Sequence, residues 1–388
     1  MTTAVGSSPA AVSPLERTVL RSTDRWPGWL RASSRPVMLY VASRALVFSV
    51  ATAASRARGQ SFTSVLNGWD SHWYVDIAHF GYAEHLPSGH GDASQANLGF
   101  FPMTALVDRA AHAVTGLDYV VAGSLVITLV GLLAAVAFWW LLRSQYDASG
   151  ADRGTALMVF SPAAFVLSYV YSEAFIVLFT SCVLLALAKR RWIVAGVCAG
   201  LCTACDPVAS AIFIPCAIAA YGAIKRDRDW KALFAPLLAP AGISAFFIYL
   251  WVHVGTPLAW FKNQRAGWQR GYYGSGIPKA IWSLFAHGFE NLNPPIKSLT
   301  VAIAVVMVVM FVRSAPPLTW RGYVYAALTM GIISPIIGMT PRLLLRDAPI
   351  LGVVGARLTQ RSFPYVLSFS VAGLCLLTVL ASTPRWTP

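Results

Sequence analysis

Asp70 lies between Trp69 and Ser71 in the stretch "GWDSHWYVDIAHFGY" (residues 68–82). A carboxylate set among indole and phenol rings is partly desolvated, an environment that suits general-base work. The competing reading is an interfacial belt of Trp and Tyr around an incidental Asp. Other ionisable groups also fall at the ends of apolar runs. Glu173 follows Tyr171 and Ser172 in "LSYVYSEAF", where capping of the next helix would also account for Ser172 and Glu173. Asp206 precedes Pro207 in "CTACDPVAS", again as either a cap or a working group. "VHVGTPLAWFKNQRAGWQR" (252–270) gathers His253, Trp260, Lys262, Gln264 and Arg265. Its cations suit a phosphate or an anionic headgroup, and its rings suit a sugar face. A solvated interfacial helix is the plain alternative. Arg342 and Arg346, in "MTPRLLLRDAPI", are spaced to share one helix face. They can clamp a phosphate or pair structurally with Asp347. His72, His79, His85 and His90 match no zinc spacing. P-loop, nucleophile-elbow and dinucleotide fingerprints are absent from the sequence.

A membrane bundle must position these groups. Of 388 residues, 56% are hydrophobic and 12% charged, against roughly 25% charged in a soluble domain. Runs such as "YVVAGSLVITLVGLLAAVAFWWLL" (119–142) reach the length that crosses a bilayer as a helix. The net charge of +14 is no nucleic-acid footprint, because the basic residues cluster at the ends of apolar runs. Arg143, Lys189/Arg190/Arg191, Lys225/Arg226/Arg228/Lys231, Arg313 and Arg357 mark cytoplasmic loops under the positive-inside rule. The Cys residues, including Cys202 and Cys205, lie inside apolar runs and read as small packing residues. Arg44 interrupts the first apolar segment, so it reads as a retained helix rather than a signal peptide.

With a cytoplasmic N-terminus, spans are expected near 36–54, 119–142, 154–169, 172–188, 192–205, 207–224, 232–252, 297–313, 322–339, 347–358 and 363–382, about eleven in all. Residues 1–35 form a basic cytoplasmic segment, 36–382 the membrane domain and 383–388 a tail. Two long outer loops, 55–118 (with interfacial helices) and 253–296, complete the expected layout. It gathers Asp70, Asp76, Glu173, Asp206, His253, Arg342 and Arg346 at the outer face, where so many costly polar groups imply a shared pocket.

These stretches resemble a family in order along the chain. "WDSHWYVDIAHFGY" is similar to the Trp-Asp-x-x-Trp-Tyr signature in the first outer loop of the PIG-V-type mannosyltransferases, members of the GT-C class of membrane glycosyltransferases. "LGFFPMTALV", "SPAAFVLSYVYSEAFIVL", "VGTPLAWFKNQRAGWQR" and "MTPRLLLRDAPI" look like its later motifs. Where that family has Arg before the Pro of the 206–207 turn, this chain has Asp206. The resemblance implies an all-α, GT-C-like bundle in the plasma membrane with its active site on the outer face. It implies a polyprenyl-phosphate-linked donor, usually of mannose, and a lipid, glycan or protein acceptor, with membrane lipids as surroundings and no nucleic acid. Asp70 would be the catalytic base. Arg342, Arg346, His253, Lys262 and Arg265 would meet the donor phosphate. Trp69, His72, Trp73, Tyr74, Asp76, Glu173, Asp206, Trp260 and Gln264 would line the substrate pocket. The donor is a co-substrate, and neither metal nor cofactor is called for. The alternative is a lipid or solute transporter or flippase, which paired halves with interrupted helices would favour; the sequence has no clear halves.

This layout makes a direct prediction. A cysteine label in the Lys225–Lys231 loop should react only from the cytoplasm, and one in 262–270 only from outside. Labelling of both from one side would overturn the assignment of faces.

Overall fold

A computed structural model describes residues 28–87, 97–267, 292–333 and 340–383, together with residues 278, 281, 282, 285, 286 and 386. The expected N-terminal segment up to 27, most of the second loop beyond 267, and the end of the span at 322–339 lie outside the described residues.

The described residues form helices and no strand. In chain order the elements are α1 (Gly28–Arg58), α2 (Phe62–Leu66), α3 (Asp70–Phe80), α4 (Pro102–Thr115), α5 (Tyr119–Arg143), α6 (Ala148–Val159), α7 (Glu173–Ala188), α8 (Trp192–Thr203) and α9 (Phe213–Asp227). There follow α10 (Phe234–Leu238), α11 (Ala241–Val254), α12 (Ala259–Gly267), α13 (Asn293–Arg313), α14 (Leu318–Ile333), α15 (Pro341–Arg346), α16 (Ala348–Arg357) and α17 (Phe363–Ala381). Among them, 6 stretches are long and apolar enough to cross a membrane: Ala32–Arg58, Tyr119–Arg143, Pro207–Asp227, Trp230–Val254, Asn293–Arg313 and Phe363–Ala381. The apolar α7, α8 and α16 are shorter.

The expected span at 154–169 is a broken element instead. α6 stops at Val159, a 3₁₀ turn covers Ala164–Leu167, and α7 begins at Glu173. Pro162 is the cause, since it has no N–H and its ring clashes with the preceding turn. Backbone that leaves the helix at membrane depth is tolerated only where protein buries and satisfies it. Residues 163–177 are all buried. Arg44 of α1 donates from Nη1 to the Ala164 carbonyl at 2.7 Å and from Nη2 to the Val159 carbonyl at 3.2 Å. The Tyr40 hydroxyl donates to the Leu167 carbonyl at 2.9 Å. The arginine that interrupts the first apolar run is thus the brace of this break.

α5 packs on α7, α7 on α8, and α6 on α16. The α6–α16 contact is backbone-close: a Cβ on Gly154 would stand 2.5 Å from the Gly352 carbonyl oxygen. Only glycine permits that approach, and it fixes α16 and therefore α15, one bend upstream at Asp347.

α3 and α4 pack on each other and on α5. α4 starts at Pro102, ends at a left-handed Gly116 (φ 68°), buries Thr104, Ala105 and Asp108, and exposes Leu106 and Val114. That division is the pattern of an interfacial helix. Asp108 is fully buried against Gly123, and neither carboxylate oxygen has a hydrogen-bond partner among the described residues. Burial, with Asp118 adding repulsion, pushes its pKa up from 3.8 to about 7. Between those values the unfolded chain releases a proton that the folded chain keeps, so stability falls as pH rises through that window and levels off above it. Asp108→Asn removes that slope. Its gain in thermal midpoint over the parent in detergent should be clearly larger at about pH 7.5 than at about pH 4.5. Equal gains at both pH values would show that Asp108 is not held protonated.

Candidate active site

The site is assembled on the N-terminus of α3. Trp69, immediately before it, has φ 56° and ψ −124°, a conformation that costs a bulky L-residue of order 1–3 kcal/mol and persists only where neighbours impose it. Its indole Nε1 donates to the Ala381 carbonyl at the end of α17, at 2.9 Å. The Asp70 N–H donates to the Tyr171 hydroxyl at 3.3 Å, and the Val170 N–H donates to Ser71 Oγ at 3.1 Å. The start of α3 is therefore pinned to the broken segment before α7 and to the last helix.

From Asp70 an ion network runs into the protein. Arg342 donates from Nη1 to Asp70 Oδ2 at 2.5 Å and from Nε to Glu173 Oε1 at 2.7 Å. Its guanidinium lies over the Tyr171 ring, 4.5 Å from the centroid. Arg346 donates from Nε to the same Glu173 oxygen at 3.0 Å, and its Nη2 is 3.1 Å from Asp206 Oδ2. Asp206 also accepts the Val208 N–H at 2.9 Å, so its capping and ion-pair roles coexist. Glu173 is wholly buried and the two Arg side chains nearly so, while the Asp70 side chain is 27% exposed. The network is closed at Glu173 and open at Asp70. Its three carboxylates against two guanidinium groups leave one net negative charge. Arg342 and Arg346 share a face of α15, as their spacing requires, but neither pairs with Asp347. That residue is buried at the start of α16, with no hydrogen-bond partner for its carboxylate oxygens among the described residues.

The remaining expected residues form a second layer. Trp73 stacks on Phe100 (centroids 5.7 Å apart), and Tyr74 meets the same ring edge-on at 5.2 Å. His72 packs against Trp73. The Gly99 carbonyl next to Phe100 accepts from Trp260 Nε1 at 3.1 Å and Gln264 Nε2 at 3.4 Å. His253 stacks on Tyr249, with Nε2 3.3 Å from the Tyr82 carbonyl. Lys262 and Arg265 are exposed on α12, and Asp76 is half-buried. Tyr74 lies within electrostatic reach of Asp206, Asp70, Glu173 and Arg346, whereas His253, Lys262, Arg265 and Asp76 make no hydrogen bond or ion pair with the network among the described residues. An apolar cavity of about 480 Å³ lies between the layers' helices, lined by Ile77, Tyr82, Leu106, Arg109, Phe246 and Tyr249 among others. Ile77 is two turns along α3 from Asp70, about 10 Å. Tyr171 was not singled out from the sequence, although it stands two residues before Glu173; a ring that both caps α3 and underlies Arg342 has no local signature. Among the described residues, no group of three His, Cys, Asp or Glu is arranged to hold a metal ion.

The profile of glycosyltransferase family 87 matches residues 84–335. The chain belongs to glycosyltransferase family 87. Its architecture is similar to that of ArnT from Cupriavidus metallidurans in the apo state, with a TM-score of 0.51 at 17% identity. The match covers 85% of this chain and 61% of ArnT, so the family 87 chain spans less than two thirds of that structure's length. No curated protein sequence matches it. Together these findings give a family 87 member with a GT-C-type fold and, among the described residues, 6 stretches long and apolar enough to cross a membrane.

The network predicts a stability phenotype for this family 87 protein. Glu173→Ala leaves two buried guanidinium groups facing each other with their shared acceptor gone, a loss on the order of 3–5 kcal/mol. It should lower the thermal midpoint in detergent far more than Asp76→Ala does. Similar midpoints for the two variants would show that Glu173 does not hold the site together.

Proposed function

We propose that the protein transfers a sugar, mannose by its resemblance to the PIG-V-type enzymes, from a polyprenyl-phosphate donor to a hydroxyl acceptor on a lipid, glycan or protein. The reaction takes place at the outer face of the plasma membrane. The reading rests on one observation above all: Asp70 stands at the open end of a buried ion network, held by Arg342 through one oxygen. Its other oxygen, Oδ1, takes no hydrogen bond from the described residues and is the atom left for an acceptor hydroxyl. As the acceptor oxygen attacks the anomeric carbon from the face opposite the phosphate, its proton passes to Asp70. The C1–O bond to phosphate breaks with its electron pair on the phosphate oxygen. The products are an inverted glycoside and a polyprenyl phosphate, and the atoms and charges balance without a cofactor.

The surroundings divide the remaining work. Trp73 on Phe100 offers a flat apolar face of the kind that packs on sugar C–H surfaces. The cavity beside Ile77, Leu106 and Phe246 gives the isoprenoid chain an apolar seat, worth about 0.8 kcal/mol per buried methylene. Asp206 and Arg346 are positioning groups, since they reach Asp70 only through Glu173 and Arg342.

Asp70→Asn keeps size and most hydrogen bonding but cannot take the proton. Turnover with a polyprenyl-phosphate-mannose donor in membranes should fall by about 10²- to 10⁴-fold, while protein level and donor binding persist. Asp76→Asn, half-buried and outside the network, should stay near the parent rate. Normal turnover by Asp70→Asn would place the base elsewhere. Absence of sugar transfer by the parent protein with any polyprenyl-phosphate sugar would favour the transporter reading instead.

A further inference from the structure

The proposed reaction releases a phosphate monoester, and the ion network is already largely engaged: only Arg342 Nη2 is left without a partner among the described residues. Arg346 spends Nε and both terminal nitrogens on Glu173 and Asp206, and Arg342 spends Nε and Nη1 on Glu173 and Asp70. Three carboxylates outnumber these two cations, so a further anion arriving here meets a site that is already negative. Arg109, beside the apolar cavity, is occupied by the Ala78 and Ile77 carbonyls at 2.6 and 3.2 Å. Lys262 and Arg265 are exposed on α12 and touch nothing in the network.

Lys297 is different. The buried stripe of α13 runs Thr300, Ala304, Met307 and Phe311. Lys297 continues that stripe one turn further toward the N-terminus, since residues three and seven apart share a helix face. It therefore lies on the protein-facing side of the helix, and it is half-buried. Yet it makes no hydrogen bond or ion pair with any described residue, and the hydroxyl of Ser298 beside it is buried without a partner. Its level in the bundle follows from the opposite end. There Arg357 Nη2 donates to the Ser314 carbonyl at 3.4 Å, tying the last turn of α16 to the end of α13. From Ser314 back to Lys297 is about 25 Å of helix, and from Arg357 back to Arg342 about 22 Å along α16 and α15, at 1.5 Å per residue. α13 packs against both α15 and α16. By these counts Lys297 lies toward the same end of the bundle as Arg342, on a helix that packs against α15, as a cation with no partner among the described residues.

We infer that Lys297 is the phosphate-binding cation of the site, its ammonium holding the phosphate of the polyprenyl donor and of the leaving polyprenyl phosphate. This rests on the function proposed above, and it separates two tasks: the arginines organise the carboxylates, and the lysine receives the anion. A lysine is suited to that task because it is a compact point charge with rotatable donors, able to follow the phosphate as its charge grows on bond cleavage.

The test is direct binding of undecaprenyl phosphate to the purified, detergent-solubilised protein, with phosphatidylglycerol as competitor. Lys297→Gln and Lys297→Met should each weaken binding about 10- to 100-fold, the loss of one charge-assisted contact. Lys297→Arg should restore most of it, and phosphatidylglycerol should compete poorly against the parent. Met, unbranched and apolar, suits a buried stripe, so it serves if the Gln variant fails to fold. Parent-like binding by a folded Lys297→Met would overturn the assignment while leaving the transferase reading intact. Equal competition by phosphatidylglycerol would make Lys297 a general lipid-headgroup contact and overturn it too. No binding of undecaprenyl phosphate by the parent would remove the proposed donor itself, and the inference with it.

Discussion

A single carboxylate oxygen, Oε1 of the fully buried Glu173, accepts from two guanidinium groups. An isolated carboxylate at that depth would be prohibitively costly, and so would either arginine alone. Each is tolerable only because the others are present. The consequence is topological as much as energetic. Glu173 opens α7, Arg342 and Arg346 lie on α15, Asp206 precedes the 3₁₀ turn into α9, and Asp70 opens α3. Ion pairs among them span separations of 140 to 272 residues, so the arrangement exists only when four parts of the chain have met. Such a network adds little net stability relative to an apolar core, but it specifies one arrangement of its elements strongly, because removing any member strands the rest.

That constraint explains why the site rests on half-length helices. Helix termini are where a membrane bundle can present side chains and backbone polar groups to a shared interior. The chain supplies such ends by interrupting apolar segments: Pro162 breaks the run before α7, Pro207 starts the turn before α9, and Asp347 bends α15 away from α16. Each interruption is braced elsewhere. Arg44 and Tyr40 of α1 receive the freed carbonyls of the first, and the Gly154–Gly352 approach holds the helix that carries the last.

Much of this was visible in the sequence, for a definite reason. An ionisable residue at the end of an apolar run is conspicuous against a background with so few charges, so all five network members stood out. Long uninterrupted spans were equally plain, as α5 and α13 illustrate. Pairings were not legible, because local spacing suggested Arg–Asp347 whereas the actual partners lie far away in the chain. The broken span at 154–169 was missed because hydropathy reports burial, and a 3₁₀ turn wrapped in protein is as apolar as a helix. Lys297 was not singled out in the sequence; only the buried stripe of α13 and its packing against α15 give it a direction.

The position before Pro207 ties these strands together. In the PIG-V-type pattern that position is an arginine; here it is Asp206, bound to Arg346. Replacing a cation by a carboxylate moves the local sum by two charges. With arginine the five-member cluster would carry one net positive charge and could itself receive a phosphate. With Asp206 it carries one net negative charge, which disfavours a further anion. A chain that reverses this charge while keeping an anionic donor needs a cation from another element, and that cation must be free of internal partners. Arg346 is the one it cannot use, because Asp206 has claimed it. On the proposed function, the Asp206 carboxylate, where the resembled PIG-V-type pattern has an arginine, and the phosphate role of Lys297, which pairs with no described residue, are two halves of one electrostatic balance.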